Sequence, residues 1–290
     1  MPLPAFDLSR ARAVLTGAAS GMGEQMAHQL AARGASLLLV DRDEERLVTV
    51  AREIESRHPA ATLHTMVVDL SDPAAPVAVA ARVAEVLPEA NLLLNNAGVA
   101  MGGAFEDLSA EEFDWVMRVN FDAPVALCRA LLPTLRRTPG SHIVNVSSLY
   151  GLIGPPGQSA YSSSKYALRG FSEVLRHELA PDGIGVTTVH PGGIRTRIAD
   201  SARVAASVDP TVVESRRRAM NRLLTFPADK AGAQILAGVE RRRARVLIAW
   251  TAVVPDLLAR VLPSSYFSVL TRVSGSLAST SGRRRPRVDA

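Results

Sequence analysis

Residues 13–23, Ala13-Val14-Leu15-Thr16-Gly17-Ala18-Ala19-Ser20-Gly21-Met22-Gly23, set a short apolar run against a loop carrying three glycines, and a helix-like run continues as far as Gly34. The order this spells is strand, glycine loop, helix. Glycines so spaced permit a tight turn and let backbone N–H groups approach a pyrophosphate at a helix N-terminus, where the helix dipole favours negative charge. Glycines also mark ordinary turns, so the pattern draws its meaning from the strands and helices that come after it in the chain.

A second apolar strand, Ser36 to Val40, ends in Asp41, 20 residues after Gly21. An acidic side chain there can hydrogen-bond both hydroxyls of an adenosine ribose, which favours NAD. The same carboxylate repels the 2′-phosphate of NADP, whereas Arg42 could attract it or simply sit in solvent, so NADP stays as the alternative. From Asp43, Leu47, Val50, Ala51 and Ile54 fall at helical spacing, and a third strand, Thr62 to Val68, leads into Asp69-Leu70. Ser71-Asp72-Pro73 signals a helix start, that helix runs to about Leu87, and a fourth strand, Asn91 to Leu94, opens into Asn95-Asn96-Ala97-Gly98. This alternation predicts an α/β fold: a Rossmann-like, doubly wound parallel sheet of about seven strands with helices on both faces. Ligands in such sheets sit beyond the C-terminal strand ends.

Ser109-Ala110-Glu111-Glu112 has capping-box spacing and predicts a long helix to about Arg137, with Asn120 near its middle. A mid-helix amide either faces solvent or has a buried role. The next strand, His142 to Val146, delivers Ser147 and Ser148 to the ligand edge of the sheet. After Pro156 a helix begins, and it places Tyr161 and Lys165 one turn apart on one face. A fixed ammonium favours a phenolate and pulls a tyrosine below its usual pKa of about 10, which makes acid/base chemistry possible, with Ser148 able to orient a substrate oxygen. Taken alone, a Tyr and a Lys four apart are a common surface pattern. That helix ends near Pro181, and a sixth strand, Gly185 to His190, runs into Pro191-Gly192-Gly193-Ile194-Arg195-Thr196.

Thr16-Gly17 with Gly21 and Gly23, Asn95-Asn96-Ala97-Gly98, Asn120, Ser148, Tyr161 with Lys165, and Pro191-Gly192 with Thr196 together resemble the motif series of the short-chain dehydrogenase/reductase family, over residues 10 to about 250. The resemblance implies an oxidoreductase in which Tyr161 is the general acid/base. Lys165 would lower the tyrosine pKa and hydrogen-bond the nicotinamide ribose, Ser148 would steady the substrate oxygen, and Asn120 would hold a water linking Lys165 to solvent. It also implies cofactor contacts from Gly17, Ser20, Gly21, Met22, Gly23, Asp41, Arg42, Asp69, Leu70, Asn96, Ala97, Gly98, Pro191, Gly192, Ile194 and Thr196, besides Tyr161 and Lys165. Asp69 and Leu70 would meet the adenine, Asn96 and Gly98 the ribose and nicotinamide side, and Ile194 and Thr196 the carboxamide and phosphate region. Substrate contacts would come from Ser148, Leu149, Tyr150, Gln158, Tyr161 and Gly193, and from the loop over residues 198–226. The turn's Leu149, Tyr150, Leu152, Ile153, Pro155 and Pro156 offer apolar surface, so the expected substrate is a hydrophobic secondary alcohol or its ketone. A homodimer or homotetramer is implied as well.

The 290 residues are 47% apolar and contain one cysteine, Cys128, in an apolar helical stretch that suggests core packing. The six histidines show no metal-ligand spacing, so no metal is expected. The formal charge of +5 owes much to residues 283–290, with four arginines against Asp289, and nucleic-acid binding is therefore not expected. With no secretory signal pattern and no apolar run of membrane-spanning length, a cytoplasmic location is the expectation.

The expected organisation is a catalytic and cofactor-binding domain over 1–250, a helical extension of it over 251–281, and a basic, disordered tail over 282–290. Val253 to Val261 and Tyr266 to Val273 read as short amphipathic helices broken by Pro255 and Pro263, able to cover the pocket, pack between subunits or lie on a membrane. Two other functions compete with the leading one: a membrane-associated lipid or acyl-chain ketoreductase, and a non-catalytic dinucleotide-binding regulator.

Overall fold

Apolar strand residues send side chains alternately to two faces of a sheet, and here each face is covered by helices. The computed structural model describes residues 3–196, 202–205 and 224–274. The large sheet contains β1 (Arg12–Thr16), β2 (Ser36–Asp41), β3 (Leu63–Val67), β4 (Leu92–Asn95), β5 (His142–Val146), β6 (Gly185–Pro191) and β7 (Arg245–Ile248). All pair in parallel, in the order β7-β6-β5-β4-β1-β2-β3. The order reverses at β1, which pairs with both β2 and β4, and a crevice opens at such a switch point.

The helices are α1 (Gly21–Ala31), α2 (Glu44–Arg57), α3 (Ala75–Val86), α4 (Ala110–Met117), α5 (Ala123–Arg137), α6 (Ser159–Glu178), α7 (Ala228–Glu240), α8 (Trp250–Val261) and α9 (Tyr266–Ser274). Leu15, Leu37, Leu39, Leu92 and Leu94 pack on Met26 and Leu30 of α1, Leu47 and Ile54 of α2, and Ile235 and Leu236 of α7. The intervening residues Val14, Leu38, Val40, Leu93 and Ile143 face the other way, onto Val79 and Val83 of α3 and Leu127, Cys128 and Leu131 of α5. Two covered faces explain why these strands are apolar at nearly every position. Cys128 is core, as expected, and burial pushes its thiol up to about 12.

Two expectations need correction. The helix opened by Ser109 is capped as its spacing predicts, but it does not run unbroken to Arg137. A π-helical turn, Arg118–Asp122, separates α4 from α5 and holds buried Asn120. A π turn re-aims a side chain locally, which the helical hydrophobic period cannot reveal. Pro255, for its part, does not break the extension: α8 runs through it from Trp250, because a proline there removes a single backbone donor.

Candidate active site

The end of β1 is tied to the end of β4. Thr16 Oγ1 accepts from the N–H groups of Asn96 and Ala97, both at 3.1 Å, and Asn96 Nδ2 donates to the carbonyls of Thr16 (3.0 Å) and Gly17 (3.1 Å). The glycine loop is thereby held flat against Ala97. Gly17 has φ +67°, and a Cβ on it would lie 2.8 Å from the Ala97 Cα. Gly21 has φ +59°, and its Cβ would meet the Thr196 side chain at 3.0 Å. At Gly23 the carbonyl of Gly17 fills the space a side chain would need. What remains at the start of α1 is a backbone-only surface with Ser20 as N-cap, its side chain making no capping bond. This cradle fits a pyrophosphate, with Thr196 beside it. The Asn96 amide donates to the loop carbonyls and so shapes the cradle.

At the end of β2, Asp41 Oδ2 accepts from the Ala19 N–H (2.9 Å), and Oδ1 accepts from the N–H groups of Arg42 (2.7 Å) and Asp43 (3.1 Å). The carboxylate thus braces the glycine loop while it caps the strand end. Arg42 turns toward Asp69, Nη1 to Oδ2 3.7 Å. Burial pushes the Asp69 carboxyl up, but the Ser71 N–H and hydroxyl and the Arg42 charge outweigh it, leaving it below its ordinary value. Leu70 is buried beside it. Sequence reasoning missed Arg46, whose Nε donates to the Ala19 carbonyl (3.0 Å) and whose Nη2 lies 3.5 Å from Glu24. Its position three residues after the α2 N-cap, Asp43, was the available signal.

The end of β5 supplies the polar centre. Ser148 caps a short 3-10 turn, Leu149–Gly151, where its Oγ accepts from the Tyr150 N–H at 3.1 Å. Tyr161, from the first turn of α6, is buried. Burial pushes its phenol above the ordinary value, and a side-chain hydrogen bond with Ser148 pulls the other way. Lys165 is 3% exposed, and its Nζ donates to the Val146 carbonyl at 3.0 Å and lies 5.8 Å from the Tyr161 ring centroid. Burial brings its pKa down to about 8. The phenol is thus raised where the Lys165 spacing predicts a lowering, because its own desolvation is the largest influence on it. Ser147 separates from its neighbour: its hydroxyl donates to the Lys165 carbonyl at 2.8 Å and anchors α6.

Asn120 has the buried role its position implied. Its Oδ1 accepts from the Val99 N–H (2.8 Å), and its Nδ2 donates to the Val99 carbonyl (2.9 Å) and to Ser164 Oγ (3.1 Å). A Cβ on Gly98 would lie 3.2 Å from both Asn120 Oδ1 and Lys165 Nζ, so the two polar ends flank one glycine.

Around this centre, the Tyr150 ring meets Tyr161 edge-on, centroids 6.0 Å apart. Leu149, Tyr150 and Gln158 are partly exposed, whereas Leu152 and Ile153 are buried in the protein and present no free apolar surface. Pro191 closes β6 beside Ile248, and a Cβ on Gly192 would meet the Ala252 nitrogen at 2.9 Å. The Gly193 N–H donates to Thr251 Oγ1 (3.0 Å), a hydroxyl at the start of α8 that sequence reasoning missed. Ile194 is buried and pairs with Phe226. Most of the loop expected to select the substrate, residues 197–201 and 206–223, lies outside the described residues. Among the described residues, no group of three or more His, Cys, Asp or Glu is placed to hold a metal ion.

The chain as a whole is similar to known proteins. Residues 11–206 match the family model described as short chain dehydrogenase. The Mycobacterium tuberculosis protein SadH is 37% identical over 257 residues, covering 88% of this chain and 91% of its own. Dehydrogenase/reductase SDR family member 7B of Xenopus laevis is 34% identical over 271 residues, covering 91% of this chain and 82% of its own. Among solved structures, a short chain dehydrogenase/reductase from Burkholderia phymatum in complex with NAD superimposes with a TM-score of 0.80, at 28% identity and covering 88% of this chain and 95% of that one. A short-chain dehydrogenase from Sphingobium yanoikuyae in complex with NADPH does so with a TM-score of 0.71, at 26% identity and covering 96% of this chain and 98% of that one. By the match over residues 11–206 and by these relatives, the chain belongs to the short-chain dehydrogenase family of oxidoreductases.

Proposed function

We propose that the chain moves a hydride between NAD(H) and the carbinol carbon of a hydrophobic secondary alcohol or its ketone, with Tyr161 as general acid/base. The convergence of Ser148, Tyr161 and Lys165 at one buried strand end, beside a glycine cradle, carries this reading. Bound nicotinamide would accept the hydride in alcohol oxidation and return it in ketone reduction. Gly17, Gly21 and Gly23 shape the seat of its pyrophosphate, and Asp41 stands where the adenosine ribose would lie. Arg42 is drawn toward Asp69, which favours NAD over NADP.

Tyr161 gives its phenolic proton to the substrate oxygen in reduction and takes the alcohol proton in oxidation. Because burial raises the phenol, it stays protonated at neutral pH, the form needed for reduction. Ser148 hydrogen-bonds the substrate oxygen and so fixes it beside the phenol. Lys165, buried and brought to about 8, resupplies the proton, and Asn120 at the far side of Gly98 closes the inner end of that relay. Tyr150, edge-on to Tyr161, walls the site with an aromatic face suited to an apolar substituent.

The test is Tyr161→Phe, assayed with a panel of secondary alcohols and ketones of graded size. The variant should bind NADH as wild type does, followed by fluorescence, and lose turnover. Unimpaired oxidation of an alcohol that wild type accepts would sink the mechanism.

A further inference from the structure

The corner between β7 and α8 is built on a conformation that alanine rarely takes. Ala249 has φ +69° and ψ 154°, a region populated almost only by glycine. Such strain persists where the surroundings over-determine it. Here the surroundings are the two glycines that follow β6. The Gly192 N–H donates to the carbonyl of Ile248, the last residue of β7, at 3.0 Å, and the Gly193 N–H donates to Thr251 Oγ1 at 3.0 Å. Only Ala249 and Trp250 lie between those two acceptors, and the bend at Ala249 brings both to consecutive N–H groups. A Cβ on Gly192 would fall on Thr251 Oγ1, so the first turn of α8 is seated directly on the glycine pair.

Gly193 is the pivot of the segment that reaches the cofactor cradle. Its carbonyl accepts from the N–H groups of Thr225 (3.1 Å) and Phe226 (3.0 Å), and the next residue, buried Ile194, pairs with Phe226. Two residues further on, Thr196 lies against the glycine loop, where a Cβ on Gly21 would be 3.0 Å from the Thr196 Cβ and Cγ2. A hydroxyl at a helix start usually serves the free N–H groups of its own helix. Helix α8 has no side-chain cap, and Thr251 is turned instead to Gly193, as the only acceptor that this N–H finds among the described residues. The helix that carries it is firmly based: Ala252 is fully buried, and Asp256 is paired with Arg245 and Arg260. A hydroxyl on such a base sets where Gly193 lies.

We infer that Thr251 is a positioning residue for the cofactor: by holding Gly193 it sets Ile194 and Thr196 against the glycine loop, and so makes the C-terminal extension part of the dinucleotide site. The inference rests on the reading that the cradle of Gly17, Gly21 and Gly23 seats the pyrophosphate of NAD(H), and not on the proton chemistry of Tyr161. Without the Thr251 hydroxyl the Gly193 N–H loses its acceptor, the segment samples other positions, and cofactor binding must order it again. The adenine end, which in the same reading lies at the ends of β2 and β3, is out of reach of that loss.

The test titrates the full-length protein with NADH, or with NADPH if that binds more tightly, by fluorescence, and with AMP by competition against it. Thr251→Val keeps the shape of the side chain and removes the hydroxyl. It should weaken the reduced dinucleotide about five- to tenfold and leave AMP affinity unchanged. Thr251→Ala, a second form without the hydroxyl, should match it, whereas Thr251→Ser should restore wild-type affinity. A role confined to stability would lower the melting temperature and leave both dissociation constants in place. Equal dinucleotide affinity in wild type and Thr251→Val therefore overturns the inference. So does an equal weakening of dinucleotide and AMP, or a serine variant as weak as the valine one. Wild type that binds neither NADH nor NADPH would overturn the cradle reading and the inference with it. Wild type that binds the dinucleotide yet turns over no alcohol or ketone would overturn the proposed reaction alone, since none of these readouts depends on turnover.

Discussion

His190 Nδ1 lies 3.1 Å from the carbonyl oxygen of Ser148, joining the end of β6 to the turn after β5. A carbonyl only accepts, so Nδ1 carries the proton. Burial brings His190 down to about 4, with Arg245 and Arg169 acting the same way against the Ser148 carbonyl and Asp256. His142 is similarly buried beside Arg242 and brought down to about 3. Both folded values lie below the unfolded value of about 6.5, so their neutral forms support full stability above it, and that support is lost as pH falls toward the folded values. Each histidine should cost about 1.4 kcal/mol per pH unit across that window. Urea midpoints measured at falling pH should decline accordingly, and His190→Gln should flatten the slope by about one proton. An unchanged slope would refute the neutral assignment.

Gly23 leaves no space for a side chain because the Gly17 carbonyl occupies it. Gly23→Ala must displace the loop that forms the cradle. NADH affinity, titrated by fluorescence, should weaken at least about tenfold, or 1.4 kcal/mol. Tyr161 and its neighbours stay in place, so the loss should appear in cofactor binding before it appears in the proton step.

Asp41 braces Ala19, Arg42 and Asp43, and in the proposed reading it also meets the adenosine ribose. Wild type should show the higher kcat/KM with NAD. Asp41→Ala should reverse that ratio toward NADP, since the repelling carboxylate is gone and Arg42 remains. It should also lower the melting temperature, because three backbone donors lose their acceptor. A wild-type preference for NADP would contradict the reading of Asp41 over Arg42.

Asp256 is nearly buried and holds both Arg245 and Arg260. Asp256→Ala strands a largely buried guanidinium at Arg245, at a cost of about 2–4 kcal/mol. Chemical denaturation should show that loss with little dependence on sodium chloride, as a shielded pair is screened weakly. A loss below about 0.5 kcal/mol would mean that the pair behaves as a surface one.

The order of apolar runs, the glycine spacing at 17, 21 and 23, and the Tyr161 and Lys165 pair were readable as chain, because period and spacing report local geometry directly. So was the sheet class, which strands alternating with helices dictate. The placement of polar partners was not. That Asn96 serves the glycine loop, that Asn120 sits in a π turn and clasps Val99, that Ser147 anchors α6 while Ser148 faces the phenol, and that Leu152 and Ile153 are core are decided between segments far apart in sequence. Desolvation is decided there too: the Tyr161 and Lys165 pair is legible four residues apart, but burial depends on everything packed around it, and burial raises the phenol. The same holds for α8, whose residues read as ordinary amphipathic patterning until packing buried Ala252 and Asp256 and set the Thr251 hydroxyl against Gly193.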